Sequence, residues 1–336
     1  MQRDSVRWGI IGCGDVAEVK SGPAFARAQG SVLLAVTRRD RAKADDFARR
    51  HAVPRVHATA DDLIGDPDID AVYIATPPDS HCELACRVAA AGKPCLVEKP
   101  MATSYADCQR MLQAFEAAAA PLWVAFYRRA LPRFLMIQDL LREGTLGRVT
   151  GVTIDVREPL TTGPAARSWR FTRSIAGAGL FFDKGSHCVD LLDFLVGPVQ
   201  YADGLAVNSG GTYEVEDVTV AIFRMAGDVL GTGSWNFNAG ETSDTFLLTT
   251  ERGTIRTSLF TDADVVVKEG ASERLHAVRN PPHVHQPLVQ SIVDELHGQG
   301  RCESTGVTGA RASRVLDLCL RRGVTAVPEP LASRRG

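Results

Sequence analysis

The segment WGIIGCGDVAE, residues 8–18, decides how the rest of this sequence folds. It holds a GxGxxA element directly after a short apolar run and directly before a helical pattern. In such an element Gly12 permits a tight turn, Gly14 lets the backbone approach a pyrophosphate, and Ala17 allows close packing of helix on strand. The free N–H groups of the helix start attract phosphates. The segment therefore predicts a dinucleotide site, the alternative being a glycine-rich turn that is needed only for its backbone geometry.

The end of the second apolar run indicates which dinucleotide is bound. Residues 32–36 form this predicted strand, and Thr37, Arg38 and Arg39 follow it. An NAD-specific site usually places a carboxylate here for the ribose 2′-hydroxyl, whereas arginines suit a 2′-phosphate. The pattern favours NADP over NAD. Alternatively, the two arginines only begin a solvated loop.

Short apolar runs alternate with helical patterns through the first third of the chain, as in a parallel sheet with helical crossovers. The predicted strands are 6–11, 32–36, 71–75, 95–97 and 122–125, and the predicted helices are 16–28, 41–51, 81–91 and 105–119. We expect an N-terminal Rossmann domain with a doubly wound parallel sheet at residues 1–126.

Strands with partial alternation dominate the remainder, and few helices separate them. The predicted strands are 148–157, 217–225, 229–238, 245–250 and 254–258, and the predicted helices are 134–143, 186–196, 288–297 and 310–322. The glycine at the centre of residues 226–228 indicates a hairpin. We expect a C-terminal α+β domain at residues 127–330 with a large open, mostly antiparallel sheet. One face of such a sheet must be covered by helices or by another subunit.

Composition excludes several classes of function. With 38 basic and 40 acidic residues the net charge is −2, so no basic surface suggests a nucleic-acid or membrane partner. No stretch approaches the roughly 20 apolar residues of a membrane-spanning helix, and the first residues do not resemble a secretion signal. None of the eight cysteines forms a CxxC pair, and Cys82 and Cys86 lack further ligands nearby, so we expect reduced thiols, no metal and a cytoplasmic protein.

Five further segments carry a family resemblance. They are IATPPDSH at 74–81, LVEKP at 96–100, YRR at 127–129, WR at 169–170 and GAGLFFDKGSH at 177–187. Together with the GxGxxA element, and in this order, they resemble the glucose–fructose oxidoreductase/inositol dehydrogenase/rhizopine catabolism (Gfo/Idh/MocA) family over most of the chain. A departure is Gly177-Ala178-Gly179, where three glycines are usual.

The resemblance implies roles for individual residues. Thr76, Pro77 and His81 would line the nicotinamide side, Lys99 would touch the reacting oxygen, and the Lys99–Pro100 peptide would be cis. The catalytic residues would be Lys99, Asp183 and His187, with His187 transferring the proton. The GxGxxA element and the end of the second predicted strand contribute the other expected cofactor contacts. The full expected cofactor-binding set is Gly12, Gly14, Asp15, Val16, Thr37, Arg38, Arg39, Thr76, Pro77, His81, Glu98, Lys99, Trp169 and Arg170.

Elementary chemistry supports the same catalytic set. Removing hydride from a carbinol carbon needs a base for the hydroxyl proton, and an imidazole suits that task. Asp183 precedes His187 by four residues, so on a helical turn its carboxylate would share a face with the ring and orient it. The ammonium of Lys99 would stabilise a developing alkoxide.

The sequence leaves the roles of four residues undecided. Lys20 either approaches the cofactor or substrate, or is a surface helix lysine. Lys184 stands where an apolar residue is usual, and a solvated side chain is favoured over a contact with an acidic substrate group. His283 and His285 resemble a metal pair only superficially, and a loop before the next helix is expected there.

The sequence therefore predicts an NAD(P)-dependent oxidoreductase that transfers hydride between a secondary alcohol of a sugar, cyclitol or related polyol and the nicotinamide. One alternative is a glycoside hydrolase of the same fold with tightly bound NAD, and another is a non-catalytic NADP-binding regulator. The resemblance and the uncovered sheet face both favour a homodimer or homotetramer.

Overall fold

The computed structural model describes residues 5–321, which form two sheets with helices packed on them. The strands are β1 Val6–Ile11, β2 Ser31–Thr37, β3 Arg55–Val56, β4 Ala71–Ile74, β5 Cys95–Val97, β6 Leu122–Val124, β7 Val149–Arg157, β8 Val199–Val207, β9 Val218–Met225, β10 Leu230–Asn236, β11 Ser243–Thr250, β12 Gly253–Thr257, β13 Val265–Glu269 and β14 Ser272–His276. The α-helices are α1 Gly22–Arg27, α2 Arg41–Arg50, α3 Ala60–Gly65, α4 His81–Ala90, α5 Tyr105–Ala117, α6 Pro132–Glu143, α7 Arg173–Ala176, α8 Ser186–Leu195, α9 Gln286–Leu296 and α10 Gly306–Cys319.

The first sheet confirms the predicted Rossmann arrangement. Its strands run in the order β3-β2-β1-β4-β5-β6, and every pair is parallel. The strand order reverses beside β1, between β2 and β4, and ligands of such folds bind outside the carboxyl ends of the strands at this switch point. β4 and β5 are buried along their whole length, as expected when helices cover both faces.

The helix predicted over residues 16–28 is wrong in one respect, because it contains two kinds of turn. Ala17–Ser21 is a π turn, and α1 begins only at Gly22. The N–H of Gly22 donates to the carbonyl oxygen of Ala17, five residues back. A Cβ atom at Gly22 would lie 2.4 Å from that oxygen, so this close approach requires glycine. Position 20, where Lys20 stands, thereby faces a different direction than in a continuous α-helix.

The second sheet is larger than the sequence indicated. Its order is β14-β13-β12-β11-β7-β10-β9-β8, with antiparallel pairs except for the parallel pair β7–β10. The mostly antiparallel character and the hairpin between β9 and β10 were expected, whereas β8, β13 and β14 were missed. β8 buries one of its nine side chains and β14 buries none, so neither carries the alternation that marks a half-buried strand.

One face of this sheet packs on helix α8, and the other is exposed. On the packed face the ring of Trp235 lies 4.7 Å from that of Phe181, and its Nε1–H donates to the Sγ atom of Cys188. On the other face large apolar side chains reach solvent over three neighbouring strands. These side chains are Leu205, Val207, Val220, Ile222 and Leu230.

A buried ion-pair cluster fixes the segment after β6 against the C-terminal helices. The guanidinium of Arg129 donates to the carboxylates of Asp190 and Asp193 on α8, and Arg311 of α10 pairs with Asp193. Burial raises the pKa of Asp190 to about 6, although Arg129 opposes the shift. Removing one partner of such a buried pair costs far more than the pair contributes, so the cluster firmly specifies this junction.

The C-terminal segment returns to the first sheet. Helix α9 packs on α1, and Thr305 forms a bridge with Trp123 of β6. A division of the chain at residue 126 therefore stays a prediction, and residues 322–330 of the expected second domain lie outside the described residues. Within residues 5–321 no helix has the length and apolar character needed to cross a bilayer.

Candidate active site

A cleft of about 860 Å³ opens at the carboxyl ends of β1, β2, β4 and β5. Its walls come from both halves of the chain, since Trp169, Arg170 and Asp183 line it together with the Rossmann loops. Most of the residues predicted for cofactor binding line this cleft. They are Gly12, Gly14, Asp15, Val16, Thr37, Arg38, Arg39, Thr76, Pro77, Glu98, Lys99, Trp169 and Arg170.

The glycine turn after β1 forms the floor of the cleft. Gly12 has φ +94°, and a Cβ atom there would lie 2.9 Å from the backbone of Ala75. Its N–H donates to the carbonyl oxygen of Thr37, which joins the turn to the end of β2. A Cβ atom at Gly14 would meet nothing within 4 Å, so this position faces open space. In a GxGxxA turn the pyrophosphate of the dinucleotide lies against this glycine, so the open space is the expected place for it.

The end of β2 presents two arginines at the rim. Arg38 donates from Nη1 to the carbonyl oxygen of Cys13, 3.0 Å away, and is half-buried, whereas Arg39 is exposed. Thr37 is buried. Asp40, the next residue in the chain, caps α2 by accepting from the N–H of Lys43. The rim therefore offers guanidinium groups where NAD-specific sites offer a free carboxylate.

His81 does not line the cleft, which corrects its predicted role. Its side chain is fully buried, with Nδ1 3.1 Å from the carbonyl oxygen of Pro100 and Nε2 2.8 Å from that of Thr76. Burial lowers the pKa of His81, although the contact with Thr76 opposes the shift. The ring joins the loop after β4 to the loop after β5 and so positions Thr76.

The loop after β5 carries Glu98 and Lys99, and the Lys99–Pro100 peptide is cis, as the resemblance implied. Glu98 is buried and accepts from the hydroxyl of Tyr73 at 2.6 Å and from the backbone N–H of Lys99 at 3.1 Å. Its Oε1 also lies 3.3 Å from Nε2 of His285. Burial raises the pKa of Glu98, but the His285 contact and the charge of Lys99 outweigh it, and the pKa is lowered. Glu98 is thus an ionised anchor for Lys99.

Lys99 reaches across to the second half of the chain. Its Nζ donates to the carboxylate of Asp183, and Nε of Arg170 lies 3.7 Å from the other oxygen of that carboxylate. Burial raises the pKa of Asp183, but Lys99 outweighs burial and leaves the pKa below its ordinary value. The guanidinium of Arg170 also lies over the ring of Trp169, 4.7 Å from its centroid. Lys99 is therefore held at the inner end of the cleft by an ion pair.

His187 is not among the residues that line the cleft and is not oriented by Asp183, contrary to our expectation, although it lies near enough to Lys99 for that charge to lower the pKa of its ring. The Asp183 carboxylate is taken up by Lys99 and Arg170, and Phe181–Gly185 forms a π turn that changes the spacing. Nδ1 of His187 is buried without a hydrogen-bond partner among the described residues. The ring is held instead by edge contacts with Phe126 and Tyr127, at centroid distances of 5.8 and 5.4 Å.

The charge state of His187 follows from its surroundings. Burial lowers the pKa of His187 well below its ordinary value, and the neighbouring Arg128, Lys99, Lys20 and His285 lower it further. The imidazole is therefore neutral near pH 7. A neutral ring with a free nitrogen is able to accept a proton.

Tyr127, Arg128 and His285 were not assigned roles from the sequence. The ring of Tyr127 packs against both His187 and His285, the latter at 4.4 Å. The YRR segment carried part of the family resemblance, so the sequence did indicate that this segment lies near the site. His285 had none, because it lies 187 residues after Glu98 and only the fold brings the two together.

The two lysines whose roles the sequence left undecided have different surroundings. Lys184 pairs with the carboxylate of Glu158, so its charge is neutralised. Lys20 is exposed on the π turn after the glycine loop and lies near enough to His187 to lower the pKa of that ring. Within residues 5–321 no group of three or more His, Cys, Asp or Glu side chains forms a metal site.

Comparisons with known proteins agree with this geometry. Residues 6–126 match the oxidoreductase family with an NAD-binding Rossmann fold, and residues 134–256 match the GFO/IDH/MocA C-terminal domain. The chain belongs to the Gfo/Idh/MocA family and is an NAD-binding oxidoreductase.

Relatives and solved structures show how far the likeness extends. "Oxidoreductase P35" of Formosa agariphila is 38% identical over 295 residues, covering 86% of this chain and 90% of the relative. The 1,5-anhydro-D-fructose reductase of Ensifer adhaerens is 25% identical, covering 90% and 92%. A levoglucosan dehydrogenase in complex with NADH and levoglucosan superposes with TM-score 0.85 at 22% identity, covering 94% and 96%. The last likeness concerns the fold alone.

The two glycines of the floor offer a test of the cofactor position. Gly14→Ala should leave the free energy of unfolding within about 0.5 kcal/mol of the wild type, because its Cβ atom meets nothing. It should raise the dissociation constant of the dinucleotide at least about tenfold, because the Cβ atom occupies the approach of the pyrophosphate. Thermal unfolding and calorimetric titration measure the two effects.

Gly12→Ala is the matched control. Its Cβ atom would clash with backbone at a positive φ, so this variant should lose about 1–3 kcal/mol of stability even without cofactor. Wild-type dinucleotide affinity in Gly14→Ala would show that the pyrophosphate does not lie against this turn.

Proposed function

We propose that this enzyme transfers hydride between a secondary alcohol of a sugar, cyclitol or related polyol and a nicotinamide. The observation that carries the proposal is one continuous cleft, with the glycine turn at its floor and the Lys99–Asp183 ion pair at its inner end. Gly12, Gly14 and Val16 would hold the pyrophosphate, with Thr76, Pro77, Trp169 and Arg170 nearer the nicotinamide. When bound, the nicotinamide accepts or returns the hydride.

Three side chains of this chain would do the remaining work. In the oxidation direction neutral His187 accepts the hydroxyl proton of the substrate, while the ammonium of Lys99 stabilises the alkoxide that develops. Asp183 holds Lys99 in place. In the reduction direction His187 returns the proton to the same oxygen. Lys99, Asp183 and His187 form the proposed catalytic set.

The names of the relatives support this substrate class. Besides the 1,5-anhydro-D-fructose reductase, they include trans-1,2-dihydrobenzene-1,2-diol dehydrogenases, such as the bovine enzyme at 27% identity over 70% of this chain. All these names describe chemistry at a hydroxyl-bearing carbon. No geometric feature favours a glycoside hydrolase, and the assembled Lys99–Asp183 pair beside His187 gives no advantage to a protein that only binds a dinucleotide.

We further propose NADP as the preferred dinucleotide, with NAD as the alternative. The exposed guanidinium of Arg39 and the half-buried one of Arg38 at the end of β2 support a 2′-phosphate contact. Asp40 is engaged as the cap of α2 and is a poor ribose acceptor.

The assembly and the compartment are also proposals. The exposed apolar face formed by β8, β9 and β10 supports a homodimer or homotetramer, because monomers rarely expose such a contiguous surface. Eight free cysteines, seven of them buried, support a reducing compartment such as the cytoplasm.

Replacing His187 tests the enzyme class. His187→Asn should lower kcat about 10²- to 10⁴-fold, because the proton acceptor is lost, while the dissociation constant of the dinucleotide should stay within about twofold. Reduced-nicotinamide absorbance against a panel of polyols, sugars and dihydrodiols measures turnover. His276→Asn on the edge strand β14 is the control and should behave as the wild type. Turnover that survives in His187→Asn would remove this residue from the mechanism.

Replacing Arg39 tests the cofactor preference. Arg39→Gln should lower the ratio of kcat/KM for NADP to that for NAD by about tenfold, because an exposed guanidinium facing the 2′-phosphate is lost. Arg142→Gln, an exposed arginine on α6 away from the cleft, should leave the ratio unchanged. A wild type that prefers NAD, or an unchanged ratio in Arg39→Gln, would reject this assignment.

A further inference from the structure

Arg128 lies next to the proposed base as a buried cation that has no carboxylate within 4 Å among residues 5–321. Its side chain lies between the rings of Tyr127 and Phe260, at 4.8 and 4.9 Å from their centroids, and both rings also flank His187. Its Nε donates to the carbonyl oxygen of Leu259 at 2.8 Å. Its Nη1 is buried and has no hydrogen-bond partner within the described part of the chain.

The neighbouring buried arginines differ from Arg128 because each has a carboxylate within 4 Å. Arg129 is paired with Asp190 and Asp193. Arg133 donates to three backbone carbonyls and lies 3.6 Å from Asp262, although its own Nε has no partner among the described residues. A guanidinium keeps its charge at any relevant pH, and a buried unpaired charge is costly. Arg128 therefore lacks a group that its neighbours have.

The carboxylates around the site do not supply that group. Asp183 is paired with Lys99, and Glu158 is paired with Lys184. Glu98 is occupied by Tyr73 and His285 on the far side of Tyr127. Among residues 5–321 neither Arg128 nor Lys20 has a carboxylate oxygen within 4 Å. Asp244 belongs to the same part of the structure, but its carboxylate accepts from the hydroxyl of Ser258 and from the N–H groups of Leu259 and Phe260. Arg128 therefore has no ion-pair partner in the described part of the chain.

The dinucleotide does not fill the gap either. Its pyrophosphate would be bound by the glycine turn, and a 2′-phosphate by the arginines after β2. These donors account for the phosphates without Arg128. The remaining source of an anion beside His187 is the substrate, although Arg128 itself is not among the residues that line the cleft.

We propose that the substrate is a polyhydroxy acid, whose carboxylate is bound by Arg128 while the alcohol to be oxidised lies at Lys99 and His187. The inference rests on the proposed function and specifies its substrate class. A single guanidinium matches a single negative charge and binds a planar carboxylate in a bidentate way. A phosphate monoester carries nearly two charges and would need a further close cation. Lys20, at the exposed side, adds to the attraction of an acidic ligand.

A bound carboxylate has a consequence for the proton acceptor. Arg128, Lys99, Lys20 and His285 all disfavour protonation of His187 in the free site. An anion placed against Arg128 offsets part of that field and raises the pKa of His187, which makes the ring a better base once the substrate is bound. The acid limb of kcat should therefore lie at higher pH with an acidic substrate than with a neutral one.

The first experiment measures binding and needs no turnover. The enzyme saturated with oxidised dinucleotide is titrated calorimetrically with matched pairs of several stereoisomers, namely aldonates against alditols and uronates against aldoses. The acid of a productive pair should bind about 10- to 100-fold more tightly than its neutral partner, because a charged hydrogen bond is gained. The corresponding hexose 6-phosphates form a third arm, and tighter binding of these would replace the carboxylate by a phosphate and overturn the proposal.

The second experiment assigns the effect to Arg128. Arg128→Met should bring the acid-to-neutral affinity ratio close to one, and Arg128→Lys should restore part of it. Arg142→Met on α6 removes an exposed arginine as the control and should keep the wild-type ratio. If Arg128→Met fails to fold, the wild-type ratio and the partial loss in Arg128→Lys still decide the question.

The outcomes separate this inference from the proposed function. Preferred oxidation of acids supports both. Oxidation of neutral polyols, with acids bound equally or more weakly, overturns the acidic substrate and leaves the dehydrogenase intact. Tight binding of an acid with no turnover of any alcohol by either dinucleotide supports the Arg128 site and rejects the proposed reaction.

Discussion

The ion pair between Lys99 and Asp183 is the contact on which the proposed active site depends. Lys99 comes from the carboxyl end of β5 in the Rossmann sheet, and Asp183 from the π turn before α8. Neither side chain is stable in its position alone, because a half-buried ammonium or carboxylate needs a counter-ion. The pair places the reactive end of the cleft where the two halves of the chain meet. Ligand sites commonly occupy such a junction.

Burial and charge around His187 then set its chemistry. The ring packs among aromatic side chains, and several cations surround it. Both influences lower the pKa of the imidazole, so the ring is neutral without any carboxylate partner. Asp183 consequently holds Lys99 and does not orient His187 as we expected. The aspartate and the histidine therefore have separate roles. The buried Arg128 beside this ring, without a carboxylate within 4 Å among the described residues, is the basis for the proposed acidic substrate.

Local sequence patterns predicted most of the first sheet and the cofactor turn, because buried parallel strands and a GxGxxA turn leave strong signals. The π turns at Ala17–Ser21 and Phe181–Gly185 were not predictable, since a helical pattern does not distinguish them from α-helix. The edge strands β8 and β14 were missed because they bury almost nothing. Spacing suggested that Asp183 serves His187, whereas only the fold shows that Lys99 competes for the same carboxylate.

Contacts over long sequence separations were also beyond local reasoning. His285 meets Glu98, and Arg128 meets Leu259, only after both sheets have formed. The YRR segment indicated that its residues matter, but not that Arg128 and Arg129 have opposite environments. Within the described residues Arg129 has two carboxylate partners and Arg128 has none, and this difference depends on where α8 packs.

A double-mutant cycle on Lys99 and Asp183 tests the central claim most directly. Lys99→Met, Asp183→Asn and the double variant are compared with the wild type by kcat for the best alcohol substrate, with thermal unfolding to confirm folding. If Asp183 works by holding Lys99, the two losses are not additive, and the double variant is little worse than Lys99→Met, with a coupling of about 1–3 kcal/mol. If the fold-loss of kcat in the double variant equals the product of the two single fold-losses, the result would contradict the account.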